Sequence, residues 1–433
     1  MSERVLFRGA RLIDPASNHR DRTDVLVEDE EVGGVGPGLS SARAEVIDCD
    51  GLVLAPGLVD LHAHLREPGF EHKETVESGS RAAAAGGFTA VCAMPNTDPV
   101  ADNAAVVIEV RNLADKAGLC DVHPAGAITR GLQGETLTDI AEMAEHGVRL
   151  FTDDHNCVQS SRVMRLALEY AKAFEVVIAQ HAQDASLSEG WQMHEGYYSS
   201  LLGLTGAPGE AESIVVARDL ALARLTAGRL HVTHVSAADS VRLLRDGRER
   251  GIRVSADVTP HHLALTDGDL IGYDTSLRVN PPLRTSEDRD ALRAALADGT
   301  LDAVATDHAP HAPEEKEQEF DQSPPGTIGL ETALAVVLTE LVGPGLIELP
   351  AAIERLSLGP ARILGLDDQG GPVAPGRPAN LVVFDPSTEW TVGDRPFQSQ
   401  ARNSAFTGRR LRGCVLHTML RGRFTVKEGQ PTR

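Results

Sequence analysis

The sequence predicts an α/β fold: a (β/α)8 TIM barrel carrying a small β-sandwich domain built from both termini. Three observations lead there. Apolar runs ending in polar residues or histidine recur eight times through the middle of the 433-residue chain, alanine-rich stretches of helical period separate them, and both ends consist instead of short β-like runs with Gly and Pro punctuation. The length exceeds one small domain and leaves room for a barrel of about 250 residues with an accessory domain. On strand counting alone, an open doubly wound sheet is the alternative.

At the N-terminus, Val5–Arg8, Asp24–Val27 and Glu45–Cys49 read as short strands. The eight central runs are Gly57–His64, Phe88–Pro95, Asp121–Ile128, Val148–Asp154, Val176–Ala182, Leu230–Ser236, Arg253–Pro260 and Leu301–Pro310. Helical periodicity marks Thr75–Ala85, Asn103–Ala117, Arg162–Ala173, Ala211–Thr226 and Glu287–Leu296 between them, which makes the repeat βα. Asn380–Asp385, Glu389–Val392, Gly413–Leu420 and Arg423–Lys427 are the C-terminal strands. Residues 1–55 and 371–433 are therefore expected to form the β-sandwich domain around a catalytic barrel of residues 56–370.

Hydrophobic residues make up 42% and aromatics only 4%, so alanine, valine and leucine must fill the core. A formal charge of −22 repels nucleic acid phosphates and anionic membranes, which excludes both as partners. An anionic small molecule would need Arg or His placed locally. Five scattered cysteines without CxxC spacing read as buried thiols rather than a disulfide framework. No basic and apolar leader opens the sequence and no long apolar run occurs, so a cytoplasmic protein is expected.

His62 and His64 stand in PGLVDLHAHLREPG at the end of the first central strand, where alternate residues share a side. In a TIM barrel the C-terminal strand ends face the active site, so this HxH is half of a metal site. Asp153 and Asp154 (RLFTDDH), His181 (VIAQHAQD), His234 (HVTHVS) and Asp307 (AVATDHAPH) follow four further strands. Four imidazoles and a pair of carboxylates at one mouth suit Zn²⁺ and could also hold Mn²⁺ or Co²⁺. Strand alternation lets only one of Asp153 and Asp154 face the mouth.

The ordered strings PGLVDLHAHLREPG, AMPNT, FTDD, AQHA, VTHVS, TPHHL, RVNPPLR, TDHAPH and GLETAL resemble those of class I bacterial dihydroorotases in the amidohydrolase superfamily, over nearly the whole chain. The resemblance implies two Zn²⁺ per chain: His62, His64 and Asp307 on one, His181 and His234 on the other, and Asp154 and a hydroxide bridging them. Spacing to His181 in the family pattern selects Asp154 over Asp153. Hydantoinases and dihydropyrimidinases resemble this layout but place a carboxylated lysine at the bridge, and Val148–Asp154 contains no Lys. The implied reaction is the reversible cyclisation of N-carbamoyl-L-aspartate to (S)-dihydroorotate and water in pyrimidine biosynthesis, with Asp307 as the catalytic proton shuttle.

By the same resemblance, His64, Arg66, Asn96, Asn280 and His311, with the backbone of Pro325 and Gly326, bind the substrate's carboxylate and ring amides. Arg66 lies two residues beyond His64 on the same strand parity, a fitting place for a carboxylate clamp. Two departures from the family stand out: His155 replaces a common Gly and is read as solvent-facing, and Pro325 replaces a common Phe. His123, His146, His194, His261, His262 and His417 are read as surface or packing residues. The run Glu314–Glu319 is read as a solvated loop over the barrel mouth. The alternatives are another cyclic amidase, such as a dihydropyrimidinase, hydantoinase or allantoinase, and a silent scaffold of aspartate transcarbamoylase. A homo-oligomer, a dimer, is expected, and a transcarbamoylase complex is left open.

Overall fold

The computed structural model describes residues 4–40 and 42–433, so residues 1–3 and 41 of the expected N-terminal segment lie outside the described residues. Five strands open the chain: β1 (Arg4–Leu12), β2 (Arg22–Glu28), β3 (Glu31–Gly36), β4 (Glu45–Asp48) and β5 (Val53–Pro56). After a single intervening residue the parallel strands begin, with β6 (Leu58–Ala63), β7 (Phe88–Ala93), β8 (Asp121–Pro124), β9 (Leu150–Thr152) and β10 (Val177–Gln180). A two-stranded excursion, β11 (Met193–His194) and β12 (Gly206–Ala207), precedes β13 (Leu230–Val232), β14 (Val254–Val258) and β15 (Ala303–Val304). The C-terminal strands are β16 (Leu381–Thr391), β17 (Arg410–Leu420), β18 (Arg423–Lys427) and β19 (Gln430–Pro431).

Both ends of the chain share one sheet, ordered β19-β18-β17-β16-β5-β1-β2-β3 with β4 on β1. The seam is antiparallel: Leu381 pairs with Pro56 and Phe384 with Val53. Alternation along these two strands divides their side chains between two cores. Leu54, Leu381 and Val383 join Phe7, Leu12 and Val25 in the sheet's own core, while Val53, Ala55, Val382 and Phe384 face the main core of the molecule.

In the middle, β6-β7-β8 and β9-β10-β13-β14-β15 are two parallel sheets in chain order. Parallel bridges join their outer strands at both sides, Gly126 to Phe151 and Ala63 to His308. Helices Val76–Ala85, Ala104–Ala117, Ser161–Ala171, Glu210–Thr226, Ala238–Glu249 and Ser286–Asp298 run between strands. Their starts follow from the sequence, since Thr75, Asn103, Ser160 and Thr285 each cap a helix through a side-chain oxygen. One face of the strands contributes Leu58, Phe88 and Ile178 to the helix-side core; the other packs Val59, Leu61, Ala90, Cys92 and Ala179 together with Ile363 and Leu364. No helix is long and apolar enough to cross a membrane among the described residues.

Three expectations need correction. The run Leu301–Pro310 forms a ladder only at Ala303–Val304, because the Asp60 carboxylate takes the Thr306 backbone N–H (2.8 Å) and hydroxyl (2.5 Å) and Asp307 turns into the left-handed region at φ 48°. Asn380–Asp385 and Glu389–Val392 are one strand, not two. The irregularity between them is absorbed where Asp385 accepts from Ser387 N (2.7 Å) and Thr388 Oγ1 (2.6 Å). The strand Val148–Asp154 shortens to Leu150–Thr152, which leaves both aspartates beyond the ladder, and Asp121–Ile128 and Leu230–Ser236 shorten likewise to Asp121–Pro124 and Leu230–Val232.

Candidate metal centre and substrate cavity

The ends of β6, β9, β10 and β13 and the turn after β15 bring six side chains to one point. In β6 the register against β7 shifts between Asp60 and Ala63, so one extra residue sits opposite β7. Leu61 packs in the inner cluster and Ala63 in the outer one, which places His62 and His64 together on the inner side. His62 Nε2 lies 3.3 Å from Asp154 Oδ1 and 3.6 Å from Asp307 Oδ1; His64 Nε2 lies 3.5 Å from Asp154 Oδ2 and 3.4 Å from Asp307 Oδ1. His181 Nδ1 is 2.9 Å from His234 Nε2, which is itself 3.9 Å from Asp154 Oδ1. Two groups with metal-ligand spacing result, His62/His64/Asp154 and Asp154/His181/His234, and Asp154 belongs to both.

Asp153 is turned elsewhere. Its carboxylate accepts from Thr129 N at 2.8 Å and from the Thr129 hydroxyl, and burial pushes its pKa up to about 6. The choice that strand alternation left open thus falls to Asp154 in space.

The polar chemistry of the cluster suits a cation. Neither ring nitrogen of His62 nor Nδ1 of His234 has a hydrogen-bond partner, although both residues are buried. Orphaned imidazole nitrogens are costly unless something accepts their lone pairs. His64 Nδ1 donates to Asn96 Oδ1 (2.9 Å) and His181 Nε2 to Gln183 Oε1 (2.9 Å), each leaving its other nitrogen toward the cluster. Burial opposes charge on Asp154, yet His62 outweighs it and holds the carboxyl well below the usual range. Burial likewise opposes charge on His62, but Asp154 and then Asp307 push it up to about 10. Burial followed by His234 brings His181 down to about 3. A positive ion would replace the proton that His62 now attracts.

Support residues that sequence reasoning missed lie just behind. Asp257 accepts from His234 N (2.7 Å) and from His231 Nε2 (2.8 Å), fixing the left-handed turn at His234, φ 38°. Asp60 does the same for the turn before Asp307. The available signal was an aspartate inside an apolar strand, in GLVDLH and SADVTP.

A cavity of about 290 Å³ opens over the cluster, and its wall contains every residue expected to bind substrate: His64, Arg66, Asn96, Asn280, His311, Pro325 and Gly326. Strand parity does not explain Arg66. β6 ends at Ala63, and Arg66 reaches the cavity through a left-handed backbone at φ 64°, with Nε donating to Pro310 O at 3.1 Å. Burial brings its pKa down to about 10, still charged near neutrality. Asn280 presents a buried Oδ1 with no partner. Gly326 sits at φ 146°, where a Cβ would come within 2.8 Å of His311 Nε2 and 2.9 Å of Ala309 Cβ, so only glycine lets this loop approach. Phe70, Lys73 and His155 also line the cavity. His155 is exposed at its edge, as expected.

The run Glu314–Glu319 is solvated at Glu314 and Glu317–Glu319, as expected, but not at Glu315 and Lys316. Pro313–Lys316 is a short helix, Glu315 pairs with Lys73 at 2.6 Å, and Lys316 is buried with Nζ donating to Pro324 O (2.8 Å) and Gly326 O (3.1 Å). The carbonyl-rich turn at 324–326 is what draws Lys316 inward. Of the histidines read as surface or packing residues, His194, His261, His262 and His417 are buried; His262 contacts Thr259 Oγ1 (2.7 Å) and His194 contacts Arg284 Nη1 (3.1 Å).

A family model described as dihydro-orotase-like matches residues 51–240. Over 431 residues the chain is 49% identical to a dihydroorotase of Streptomyces coelicolor, covering 99% of this chain and 100% of the relative. A dihydroorotase of Pelotomaculum thermopropionicum is 46% identical over 425 residues, covering 98% and 99%. Among solved structures, the L-hydantoinase (dihydropyrimidinase) of Arthrobacter aurescens superposes with a TM-score of 0.89 at 25% identity, covering 100% of this chain and 98% of the other. The dihydropyrimidinase of Brevibacillus agri shares the fold with a TM-score of 0.84 at 24% identity, covering 99% and 96%.

Proposed function

Because the chain belongs to the dihydroorotase family, we infer that it interconverts N-carbamoyl-L-aspartate and (S)-dihydroorotate plus water, a hydrolysis and re-formation of a cyclic amide. The observation that carries this reading to the site is Arg66, a half-buried cation in the wall of the cavity that opens onto a metal-ligand cluster. A ring that bears a carboxylate needs such a group; a plain hydantoin or dihydropyrimidine ring does not.

The residues fit Zn²⁺, and we assign two ions per chain: His62, His64 and Asp307 would hold one, His181 and His234 the other, and Asp154 both. Zinc bound there supplies a nucleophile from water near neutral pH and polarises the amide carbonyl. Arg66 binds the substrate carboxylate, joined by His311, while Asn96 and Asn280 offer amide groups to the carboxylate and ring. Asn96 also fixes the His64 tautomer. The Pro325–Gly326 backbone lies against the ring. Asp307, 3.4 Å from His64 Nε2, accepts the proton released by the nucleophile and delivers it to the leaving ring nitrogen. In the cyclising direction it takes that proton back from the carbamoyl nitrogen. The test is zinc-loaded protein offered dihydroorotate, dihydrouracil, hydantoin and allantoin. Preferential opening of dihydroorotate is expected, and faster turnover of dihydrouracil would overturn the assignment while leaving a cyclic amidase.

The finer architecture belongs to the same reading. The bridges Gly126–Phe151 and Ala63–His308 support a closed eight-stranded barrel, with residues 56–370 as catalytic domain and 1–55 with 371–433 as β-sandwich. Exposed Tyr197, Leu201, Ile271 and Tyr273, tied by Tyr273 Oη donating to Leu202 O at 2.8 Å, support a dimer. Five free cysteines support a cytoplasmic location. Size-exclusion chromatography, alone and with aspartate transcarbamoylase, measures the assembly.

A further inference from the structure

Glu315 stands outside the ligand set and outside the residues assigned to substrate, yet it joins two sides of the cavity mouth. Its Oε1 is 2.6 Å from Lys73 Nζ, on the loop after β6. Its Oε2 accepts from Ala312 N at 3.0 Å and faces His311 Nδ1 at 3.4 Å. On the other edge of the imidazole, His311 Nε2 lies 3.0 Å from Pro325 O. A carbonyl oxygen and an ionised carboxylate both only accept. The His311 ring therefore satisfies both neighbours only with a hydrogen on each nitrogen, as the imidazolium. We propose that Glu315 is a positioning residue for substrate capture: it holds the His311 ring in the orientation that meets the substrate carboxylate and stabilises the second ring proton gained on binding, which makes the ring a second cation beside Arg66.

This role rests on the reading that His311 binds that carboxylate. The charged groups around the ring are Arg66 and Lys73 on one side and Glu315 and Lys316 on the helix that follows it. Burial, then Arg66, Lys316 and Lys73, push the imidazole down to about 2, while burial is outweighed at Glu315 by Lys73, which brings that carboxyl down to about 2 and keeps it ionised. Without substrate these surroundings hold the ring neutral, so it donates to only one of its two acceptors, and the imidazolium that would satisfy both forms when a further negative charge arrives. A substrate carboxylate arriving between Arg66 and His311 offsets the cations, and Glu315 is the anion placed to stabilise the proton that Nδ1 then gains. Substrate binding becomes coupled to proton uptake.

The experiment is the pH dependence of KM and kcat for dihydroorotate in the zinc-loaded enzyme, for wild type and three variants. Coupled uptake makes the wild-type KM rise with pH, approaching about one decade per unit near neutrality. Glu315→Gln keeps an oxygen for Ala312 N but removes the charge. It should raise KM about tenfold at the acid end of that range, the scale of one charge-assisted hydrogen bond, flatten the KM profile and leave kcat within about twofold. A role confined to capping the short helix would move neither the slope nor the split between KM and kcat. Glu315→Asp, with the charge one methylene back, should restore the slope. A Gln variant with wild-type KM and slope overturns the proposal, and so does a folded Asp variant without the slope, even where the Gln variant cannot be purified. His311→Asn separates the two readings: if it leaves KM unchanged, the substrate assignment of His311 falls as well. If it raises KM while Glu315→Gln does not, the positioning role alone is lost.

Discussion

Asp153 and Asp154 are neighbours in the chain with opposite surroundings, a hydroxyl and an amide for the first and four imidazoles for the second. Asp154→Ala should remove metal and lower kcat at least about a hundredfold, since even partners one step behind a ligand cost 10–100-fold. Asp153→Ala should keep its metal and lose about 1–3 kcal/mol of stability from the orphaned Thr129 donors. Metal analysis and thermal unfolding of the pair check this, and the reverse ranking would reassign the bridge. Arg66→Ala should lower kcat/KM for dihydroorotate by on the order of 2–5 kcal/mol with metal content unchanged, as judged from truncated buried charge pairs. Unchanged kinetics would remove Arg66 from the substrate. At this scale the sequence was informative where chemistry is sparse: a histidine or aspartate ending an apolar strand stands out. It was silent on Lys73 and placed Glu315 in a solvated run, because a charge in a loop reads the same whether it faces solvent or a partner across a cavity mouth.

Strands were readable from their apolar runs, and their ends were not, for one reason. Where the chain nears the cluster, side chains replace the ladder as partners of the backbone: Asp60 for Thr306, Asp257 for His234. A parity count carried past Ala63 therefore arrives at a residue that does line the cavity, Arg66, by the wrong path, since a left-handed turn and not alternation aims it. The segment 316–326 shows the same effect with a titratable group. Burial brings Lys316 from its ordinary 10.5 down to about 7, although its amine serves two carbonyls of the cavity wall. Between those values the unfolded chain holds a proton that the folded chain has released, so stability gains with rising pH across that window. The melting temperature of wild type relative to Lys316→Met should therefore increase from near pH 7 toward pH 10. A flat difference would mean that the amine stays charged in the folded protein.

At the scale of the whole molecule, metal and fold are linked. The candidate ligands from β6, β9, β10, β13 and the turn after β15 are close only in the native state, so a metal ion held there would bind that state alone and stabilise it by roughly 2.7 kcal/mol at a hundredfold excess over Kd. Chelation should lower the melting temperature and zinc should restore it, and a metal-independent transition would count against the cluster as a binding site. The two-ended sheet was legible as two β-rich termini, whereas its strand order was not, because nothing local specifies that β5 pairs with β16. That seam, Pro56 against Leu381, also bears on how the protein is made. β1 to β3 are antiparallel neighbours and can pair as soon as they are synthesised, but one edge of β5 has no partner until the C-terminal strands leave the ribosome. At about 5–20 residues per second that wait lasts tens of seconds. An unpaired, apolar edge held open so long invites pairing with other chains, so the nascent protein should depend on chaperone cover until its last strands arrive.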